Sequence, residues 1–315
     1  MKISFITTIY NEETTITKFL KSLVSQTKVP DEVVIVDGGS VDQTVYLIKN
    51  FQFPKSIKKV KIIIHKGNRS MGRNTAIKEA SGEIIVCSDA GNILEKNWLK
   101  NISEPFIEKH IDVVAGYYKG MAKNAFQKSL LPYVLVMPDK VNPKSFLPAT
   151  RSVAFKKSIW EKVGGFDEAL SHNEDYAFAK KLKKIGANIV FARNAIVYWM
   201  PRNTLKQTYT MFLRFAYGDA EANIFRPKVL FLFIRYFICM LLVLLFIITK
   251  SFFMLFSLLL IIMLYIGWAI SKNYRYVMHT SAFYYLPLLQ FIADFAVMNG
   301  TISGILHLWD TKKML

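Results

Sequence analysis

Short apolar runs alternate with amphipathic stretches through the first two hundred residues. Four runs are rich in β-branched residues and predict buried strands, at residues 2–9, 32–36, 60–65 and 83–87. The helical spacing of Ile16, Phe19 and Leu20 predicts a helix after the first run, and residues 71–80 predict another. Strands separated by helices indicate a mostly parallel, Rossmann-like α/β sheet with helices on both faces.

Polar clusters follow three of the predicted strands, and ligands of parallel sheets bind beyond the carboxyl ends of the strands. The clusters are Tyr10-Asn11-Glu12, Asp37-Gly38-Gly39-Ser40 and Asp89-Ala90-Gly91-Asn92. We expect Asn11 to cap the first helix, with Glu12 and Glu13 in its first turn, because side-chain oxygens and negative charge stabilise helix N-termini. The three clusters are therefore the candidate binding site.

The last third of the chain is strongly apolar. Residues 229–249 contain one charge, Arg235, and residues 252–270 contain none, so each run is long enough to cross a hydrocarbon core of roughly 30 Å. We expect Arg235 to reach the membrane interface with its long stem. A third run, 281–309, contains Pro287, Asp294 and a Gly300-x-x-x-Gly304 spacing that favours close helix packing. It is predicted either to cross the membrane or to lie in the interface.

This pattern divides the chain into three predicted regions: a globular domain at 1–203, an amphipathic interface helix at 204–228 and an α-helical membrane region at 229–315. The formal net charge is +18, and only six of the 41 Lys and Arg residues lie beyond residue 228. Basic residues flank the first two spans on one side, which predicts a multi-pass protein of the cell membrane with the domain on the cytoplasmic face. The short apolar run at residues 2–9 does not indicate a signal peptide.

The basic charge suits anionic partners such as nucleotide diphosphates, phosphorylated lipids and a membrane surface. No nucleic-acid-binding motif accompanies it, so a nucleic-acid partner is not expected. Two cysteines, Cys87 and Cys239, form neither a disulfide framework nor a metal-ligand spacing.

Six short motifs occur in a characteristic order between residues 8 and 175. They are Thr8-Ile9-Tyr10-Asn11-Glu12, Val36-Asp37-Gly38-Gly39-Ser40, Gly72-Arg73-Asn74, Asp89-Ala90-Gly91, Gly164-Gly165-Phe166-Asp167-Glu168 and Asn173-Glu174-Asp175. In this order and spacing, residues 2–200 resemble the family 2 glycosyltransferases of the GT-A fold. The resemblance implies a sugar transferase, and it assigns roles to several of the motif residues.

The resemblance implies that a nucleotide-sugar site is formed by Thr8, Tyr10, Glu12, Asp37, Arg73, Asn74 and Asp89. In the family, the carboxylate at the position that corresponds to Asp37 bonds the nucleotide base. A basic residue at about the position of Arg73 lies beside the diphosphate. From the residues alone, Asp37 in a strand-end turn and Arg73 as a solvated surface residue are open alternatives.

Asp89 corresponds to the first position of the family's Asp-x-Asp motif, which implies that it binds Mg²⁺ or Mn²⁺ against the diphosphate. Gly91 stands where the second Asp is usual, which weakens the expected metal site. The resemblance implies that Glu174 and Asp175 are catalytic, with Asp175 accepting the acceptor's hydroxyl proton. The alternative for this pair is an acidic helix cap.

The sequence thus predicts an inverting glycosyltransferase that uses a nucleotide-diphosphate sugar and a lipid-linked or envelope glycan acceptor with a free hydroxyl. A transferase acting on polyprenyl phosphate remains open, and so does a catalytically inactive nucleotide-sugar-binding scaffold subunit. A polyprenyl phosphate is already ionised and needs no base, so the importance of Asp175 distinguishes the two enzymes.

Overall fold

The computed structural model describes residues 1–313, with side chains as far as Trp309, and it forms two compact units. The α/β unit comprises Met1–Met121 and Leu135–Met200, and the helical unit comprises Ala122–Val134 and the chain from Pro201 onward. The elements are β1 (Ile3–Ile9), α1 (Ile16–Val24), β2 (Glu32–Asp37), α2 (Thr44–Lys49), β3 (Lys59–Ile64), α3 (Arg69–Glu79), β4 (Ile84–Cys87), β5 (Asn92–Leu94), α4 (Trp98–Ser103), β6 (Val113–Gly120), α5 (Ala125–Val134), β7 (Val153–Lys156), α6 (Lys157–Lys162), α7 (Glu174–Lys184), β8 (Ile189–Trp199), α8 (Leu205–Glu221), α9 (Pro227–Thr249), α10 (Phe252–Val277) and α11 (Ala282–Lys313).

The α/β unit is built on one eight-stranded sheet with the order β3-β2-β1-β4-β7-β6-β8-β5. The first four strands in this order are parallel, and β7 is antiparallel to both β4 and β6. β6 and β8 are parallel, and β5 pairs antiparallel with β8 at the edge. The expected mostly parallel α/β sheet is confirmed, and the four predicted strands are β1 to β4.

The register brings the ends of three strands to one edge of the sheet. Ile9, the last residue of β1, lies opposite Asp37, the last residue of β2. On the other side of β1, Ile6 lies opposite Cys87, the last residue of β4. The polar segments after these strands therefore start side by side, as expected for a parallel sheet.

Two apolar cores cover the faces of the sheet because successive side chains of a strand point to opposite faces. Phe5 packs with Phe19 of α1 and Trp98 of α4, at ring-centroid distances of 6.0 Å. Ile6, the next residue, belongs to the other core with Phe155. Full burial of each such side chain contributes about 1.5–3 kcal/mol, so both faces stabilise the strand order that forms the binding edge.

The expected cap at Asn11 is wrong. Helix α1 begins only at Ile16, with Thr15 as the residue before it. Asn11 has a left-handed backbone with φ of 53°, and its side-chain oxygen accepts a hydrogen bond from Val41 N at 3.0 Å. A short amide side chain tolerates this conformation, and here its oxygen stabilises the loop after β2 rather than a helix.

Within its described residues, the helical unit contains three helices, α9, α10 and α11, that are long and apolar enough to cross a membrane. The first two correspond to the predicted spans, although α10 continues seven residues beyond the expected end at residue 270. Arg235 of α9 pairs with Asp294 of α11 at 3.0 Å. An opposite charge on a neighbouring helix thus compensates this arginine, because unpaired charges in apolar surroundings are costly, and its reach to the membrane interface stays a prediction.

The small residues of α11 face α8. A Cβ on Gly300 would lie 2.2 Å from the Leu213 backbone oxygen, and one on Gly304 would lie 2.7 Å from the Ala220 Cβ. Asn299 also donates a hydrogen bond to the Tyr209 hydroxyl at 2.6 Å. The glycine spacing therefore allows close packing, as the sequence predicts, and its partner is the helix that precedes the first apolar span.

Candidate active site

The loops that follow β1 and β2 are fastened to each other by hydrogen bonds. Asn11 N donates to Ser40 Oγ at 2.8 Å, and Glu12 N donates to Thr44 Oγ1 at 2.7 Å. The bond from Val41 N to Asn11 runs in the opposite direction. Because backbone groups of one loop bond side chains of the other, the first two polar clusters form a single rigid rim.

Asp37 is almost completely buried at this rim, with 1% of its surface exposed. One carboxylate oxygen accepts from Gly39 N and Ser40 N, both at 2.9 Å, and the other accepts from Ser40 Oγ at 2.5 Å. Gly39 has φ of +99°, which a residue with a Cβ rarely adopts, so the glycine permits this turn. The Asp37 carboxylate therefore stabilises a strand-end turn, which was the alternative role considered for it from the sequence. Its contact with a nucleotide base stays a prediction.

Arg73 lies at the centre of a buried charge cluster on the sheet edge. Its Nη1 is 2.5 Å from Glu174 Oε1, and its Nη2 is 3.0 Å from Asp89 Oδ1 and 3.0 Å from Thr150 Oγ1. Only 2% of Arg73 is exposed. The solvated-surface alternative is therefore wrong, and the side chain faces protein oxygens in this structure.

The Arg73 guanidinium determines how two of the carboxyl groups titrate. Burial opposes ionisation of Glu174, but the neighbouring Arg73 charge outweighs it and lowers the pKa of Glu174. Burial likewise opposes ionisation of Asp89, and the charges of Arg73, Arg69 and Arg151 lower its pKa. Both carboxylates are therefore ionised and held in place at neutral pH.

Asp175 differs from its neighbours. Burial and the adjacent charge of Glu174 raise the pKa of Asp175, and the attraction of Arg73 and Arg151 does not compensate. None of the ion pairs among the described residues includes Asp175, and one of its oxygens accepts from Tyr176 N at 2.7 Å. A carboxylate that is desolvated and unpaired is a stronger base than an ordinary aspartate.

Two of the predicted binding residues have packing roles. Asn74 is buried and bonds the backbone N–H and C=O of Phe166, the Glu168 carboxylate and the Trp160 ring nitrogen. Thr8 lies against α3, where a Cβ on Gly72 would be 2.8 Å from its methyl carbon. Tyr10, by contrast, is 60% exposed and its ring is accessible to a ligand.

Two carboxylates near Gly91 supply oxygen atoms of the kind that a divalent cation needs. Asp89 is 39% exposed at its side chain and only its Oδ1 bonds Arg73, while among the described residues a Cβ on Gly91 would have only Glu12 Oε2 within 4 Å, at 3.9 Å. Among the described residues no group of three or more acidic, His or Cys side chains is arranged for a metal. Because Mg²⁺ is commonly held by one or two carboxylates together with substrate phosphates, this donor set fits such an ion.

Arg151 completes the cluster with two aromatic rings that the sequence motifs did not indicate. Its guanidinium carbon is 5.4 Å from the centre of the Tyr118 ring and 5.2 Å from that of Trp199. Tyr118 lies opposite Val197 on the neighbouring strand, so Trp199, two residues further on, projects to the same face of the sheet. The sequence signal that could have identified these two rings is an aromatic residue near the end of each of two adjacent strands.

The structure thus brings Arg73, Asp89, Glu174 and Asp175 into one cluster, although Arg73 and Glu174 are 101 positions apart in the sequence. Asp37 and Tyr10 belong to the rim formed after β2 and β1. Asn74 lies behind the cluster, where it fixes the loop that contains Phe166.

Two family models match the chain: Glycosyl transferase family 2 over residues 4–162, and Glycosyl transferase family group 2 over residues 112–298. Poly(ribitol-phosphate) β-N-acetylglucosaminyltransferase TarS of Staphylococcus aureus is 28% identical over 184 residues, which are 58% of this chain and 32% of TarS. Poly-β-1,6-N-acetyl-D-glucosamine synthase of Staphylococcus epidermidis is 25% identical over 227 residues, which are 70% of this chain and 55% of the synthase. The chain thus spans about a third to a half of the length of these relatives.

Among solved structures, the mannosyltransferase PcManGT of Pyrobaculum calidifontis, in complex with GDP-Man and Mn²⁺, superposes with a TM-score of 0.62. The match covers 95% of this chain and 86% of PcManGT at 16% sequence identity, so it supports the fold. The first family model covers half of the chain, and the sheet and motif order agree with it. The chain therefore belongs to glycosyl transferase family 2, with a GT-A type α/β unit followed by apolar C-terminal helices.

Proposed function

We propose that this protein is an inverting glycosyltransferase that moves a sugar from a nucleotide-diphosphate sugar to a hydroxyl group of a membrane-associated acceptor. The acceptor is a lipid-linked or cell-envelope glycan. Relatives named as poly(ribitol-phosphate) N-acetylglucosaminyl- and glucosyltransferases and as an O-antigen chain rhamnosyltransferase support this class of reaction. The three apolar helices support a location at the membrane, and the basic residues beside them favour the cytoplasmic face for the α/β unit.

The observation that carries the proposal is the arrangement of the carboxylates around Arg73. Arg73 links Glu174, at the start of α7, to Asp89, after β4, so it fixes the helix N-terminus against the sheet edge. The neighbouring Asp175 stays unpaired with a raised pKa. In this proposal Asp175 is the general base, Asp89 faces the donor diphosphate, and Arg73 and Glu174 are positioning residues.

The proposed reaction is a single displacement. An oxygen of the Asp175 carboxylate accepts the proton of the acceptor's hydroxyl group while the hydroxyl oxygen of the acceptor forms the new bond to the anomeric carbon. The carbon–oxygen bond to the diphosphate breaks on the opposite face, so the anomeric configuration inverts. A base of raised pKa is suited to this step. Proton transfer from the substrate hydroxyl becomes more favourable as the pKa of the Asp175 carboxyl group approaches the pKa of that hydroxyl.

A divalent cation, when bound, neutralises charge on the departing diphosphate. Asp89 and Glu12 are the residues of this chain that would hold it. Asp37 and Tyr10 are proposed to contact the nucleoside at the rim.

Transfer assays on the detergent-purified full chain test the proposal. Nucleoside diphosphate release is measured over a panel of UDP-, GDP- and dTDP-sugars with membrane lipid extract as acceptor source, for wild type and Asp175→Asn. Loss of a positioned general base predicts a decrease of about 10²- to 10⁴-fold in release. Arg193→Met, a change on the exposed edge of β8, is the matched control and should keep wild-type activity.

Three outcomes would contradict the proposal in part or in full. Full release by Asp175→Asn would contradict a hydroxyl acceptor and favour a polyprenyl phosphate, which needs no base. Donor binding without release for every donor would contradict the enzyme and leave the scaffold alternative, and absence of both binding and release would contradict both.

A further inference from the structure

Arg151 is a cation whose position is fixed by its backbone. Its main-chain oxygen accepts a hydrogen bond from Ser88 Oγ at 2.8 Å, and the turn closes through a bond from Ser152 N to Ala149 O at 2.9 Å. The preceding residue, Thr150, accepts from the buried Arg73 at 3.0 Å. The segment that presents Arg151 is therefore tied to the same charge cluster as Asp89.

The Arg151 side chain is oriented by aromatic rings rather than by carboxylates. Its guanidinium carbon lies within 5.4 Å of the ring centres of both Tyr118 and Trp199. Such contacts contribute about 0.5–2 kcal/mol each and restrict the side chain without consuming its N–H donors. No ion pair or side-chain hydrogen bond of Arg151 occurs in the part of the chain that the structure describes, and its surface is half-buried. The guanidinium therefore retains donors for a ligand.

The backbone contacts of Arg151 indicate where that ligand lies. Ser88, whose hydroxyl bonds the Arg151 main-chain oxygen, directly precedes Asp89, and Thr150 shares the Arg73 guanidinium with Asp89 and Glu174, so this segment lies beside the carboxylates on which the proposed reaction depends. Arg73, which the motif order suggested for the diphosphate, is buried and bonds three protein oxygens. Arg73 is thus committed to protein groups, whereas the Arg151 guanidinium is open to an anion.

We propose that Arg151, held between Tyr118 and Trp199, binds phosphate oxygens of the donor's diphosphate, and that Arg73 instead positions the carboxylates behind it. This inference rests on the proposed function. A planar guanidinium presents paired N–H groups that match two phosphate oxygens. When the bond to the anomeric carbon breaks, the diphosphate gains negative charge, and a preorganised cation at this position stabilises the leaving group.

Binding measurements with nucleotides of different charge test this assignment. We would measure the Kd of UDP, GDP and dTDP for the detergent-purified full chain by calorimetry, and then the Kd of the matching monophosphate and nucleoside for the nucleotide that binds. Arg151→Met removes the charge and keeps an unbranched side chain. Arg151→Lys keeps the charge without the fork, and Arg193→Met is the control for loss of one positive charge from the α/β unit.

We expect Arg151→Met to weaken diphosphate binding by about 10- to 100-fold, as expected for charge-assisted hydrogen bonds, and to change nucleoside binding less than about twofold. Arg151→Lys should give an intermediate loss, and Arg193→Met should bind as wild type does. The dependence on ligand charge is the readout that a purely structural role would not produce.

Two results would overturn the assignment while leaving the proposed function intact. One is an unchanged diphosphate Kd in Arg151→Met, which would show that other groups bind the diphosphate. Arg151 would then remain a candidate for contact with the acceptor. The other is an equal loss for nucleoside and diphosphate in both Arg151 variants, which would show a packing role. Absence of nucleotide binding by the wild type itself would overturn the proposed function and this assignment with it.

Discussion

Arg73 and Glu174 form a buried ion pair, with Nη1 2.5 Å from Oε1, between residues 101 positions apart in the sequence. The exposed fractions of the two side chains are 2% and 5%. The second guanidinium nitrogen continues the contact to Asp89. The pair therefore connects α7 with the end of β4 and determines where Asp175 lies.

Removal of one partner of this pair should destabilise the protein strongly. Arg73→Met leaves Glu174 as an uncompensated buried charge, and we expect a loss of about 3–5 kcal/mol in the free energy of unfolding. Arg73→Met combined with Glu174→Gln removes both charges and should lose clearly less. Denaturant unfolding of the full chain in detergent measures both values.

The exposed pair Lys61–Glu79, at 2.7 Å, is the matched control for this experiment. Lys61→Met should leave the free energy of unfolding nearly unchanged because water and salt screen an exposed pair. If the double variant loses as much stability as Arg73→Met alone, the two charges are not energetically coupled and the positioning role is wrong.

The strand positions and the motif order could be predicted because they depend on local patterns. The apolar run that became β2 is buried along its whole length, and such runs predict the strands of a covered sheet. The side-chain partners could not be predicted. Whether Arg73 meets phosphate or Glu174 depends on how α7 packs against β4, and that is set by contacts far apart in the sequence, such as Phe155 with Phe178 at 5.5 Å.

The helix cap that local sequence preference predicts at Asn11 is wrong for a physical reason. Asparagine favours both helix caps and left-handed turns, and its own sequence neighbours do not distinguish them. The bond from Val41 N decides between the two, and that partner comes from the adjacent strand's loop. Arg151 is similar, because its aromatic neighbours come from β6 and β8.

Replacement of Asp175 should increase stability at neutral pH. Its pKa is raised in the folded state, so the folded protein holds this proton more tightly than the unfolded chain, and ionisation of Asp175 opposes folding above the folded pKa. Asp175→Asn should therefore raise the Tm at pH 7, and the gain should vanish below about pH 4, where the unfolded aspartate is also protonated.

Glu174→Gln is the counterpart with opposite sign. The pKa of Glu174 is lowered, so its ionised form stabilises the fold above the ordinary glutamate pKa, and this contribution is lost as the pH falls through the folded value. The variant should have a lower Tm at pH 7 and approach the wild type in acid. A Tm of Asp175→Asn that is below the wild-type value at pH 7 would show that ionised Asp175 does not destabilise the folded state.

Restoring an acidic residue at position 91 should strengthen metal binding. The φ of Gly91 lies outside the left-handed region, and among the described residues the only atom within 4 Å of an added Cβ is Glu12 Oε2, so the Cβ of Gly91→Asp meets no clash. An additional carboxylate should tighten Mn²⁺ binding about tenfold in the presence of a nucleoside diphosphate, measured by electron paramagnetic resonance of free Mn²⁺.

Gly91→Asn is the control because it has nearly the same size without the charge. It should bind Mn²⁺ less tightly than Gly91→Asp. If Glu12 shares the site, Glu12→Gln should lower the affinity of both the wild type and Gly91→Asp. Equal Mn²⁺ affinity in the Asp, Asn and wild-type proteins would show that the diphosphate is not bound beside residue 91.

The packing of α11 on α8 should be sensitive to one methyl group. Gly300→Ala would place a Cβ 2.2 Å from the Leu213 backbone oxygen, and neither backbone can yield without separating the helices. We expect overpacking to cost about 1–3 kcal/mol, seen as a lower Tm of the full chain in detergent.

Gly267→Ala in α10 is the matched control because a Cβ there meets no atom within 4 Å among the described residues. It should be neutral or stabilising, since alanine favours a helix over glycine by about 1 kcal/mol. If Gly300→Ala is as stable as Gly267→Ala, α11 does not pack on α8 in this register.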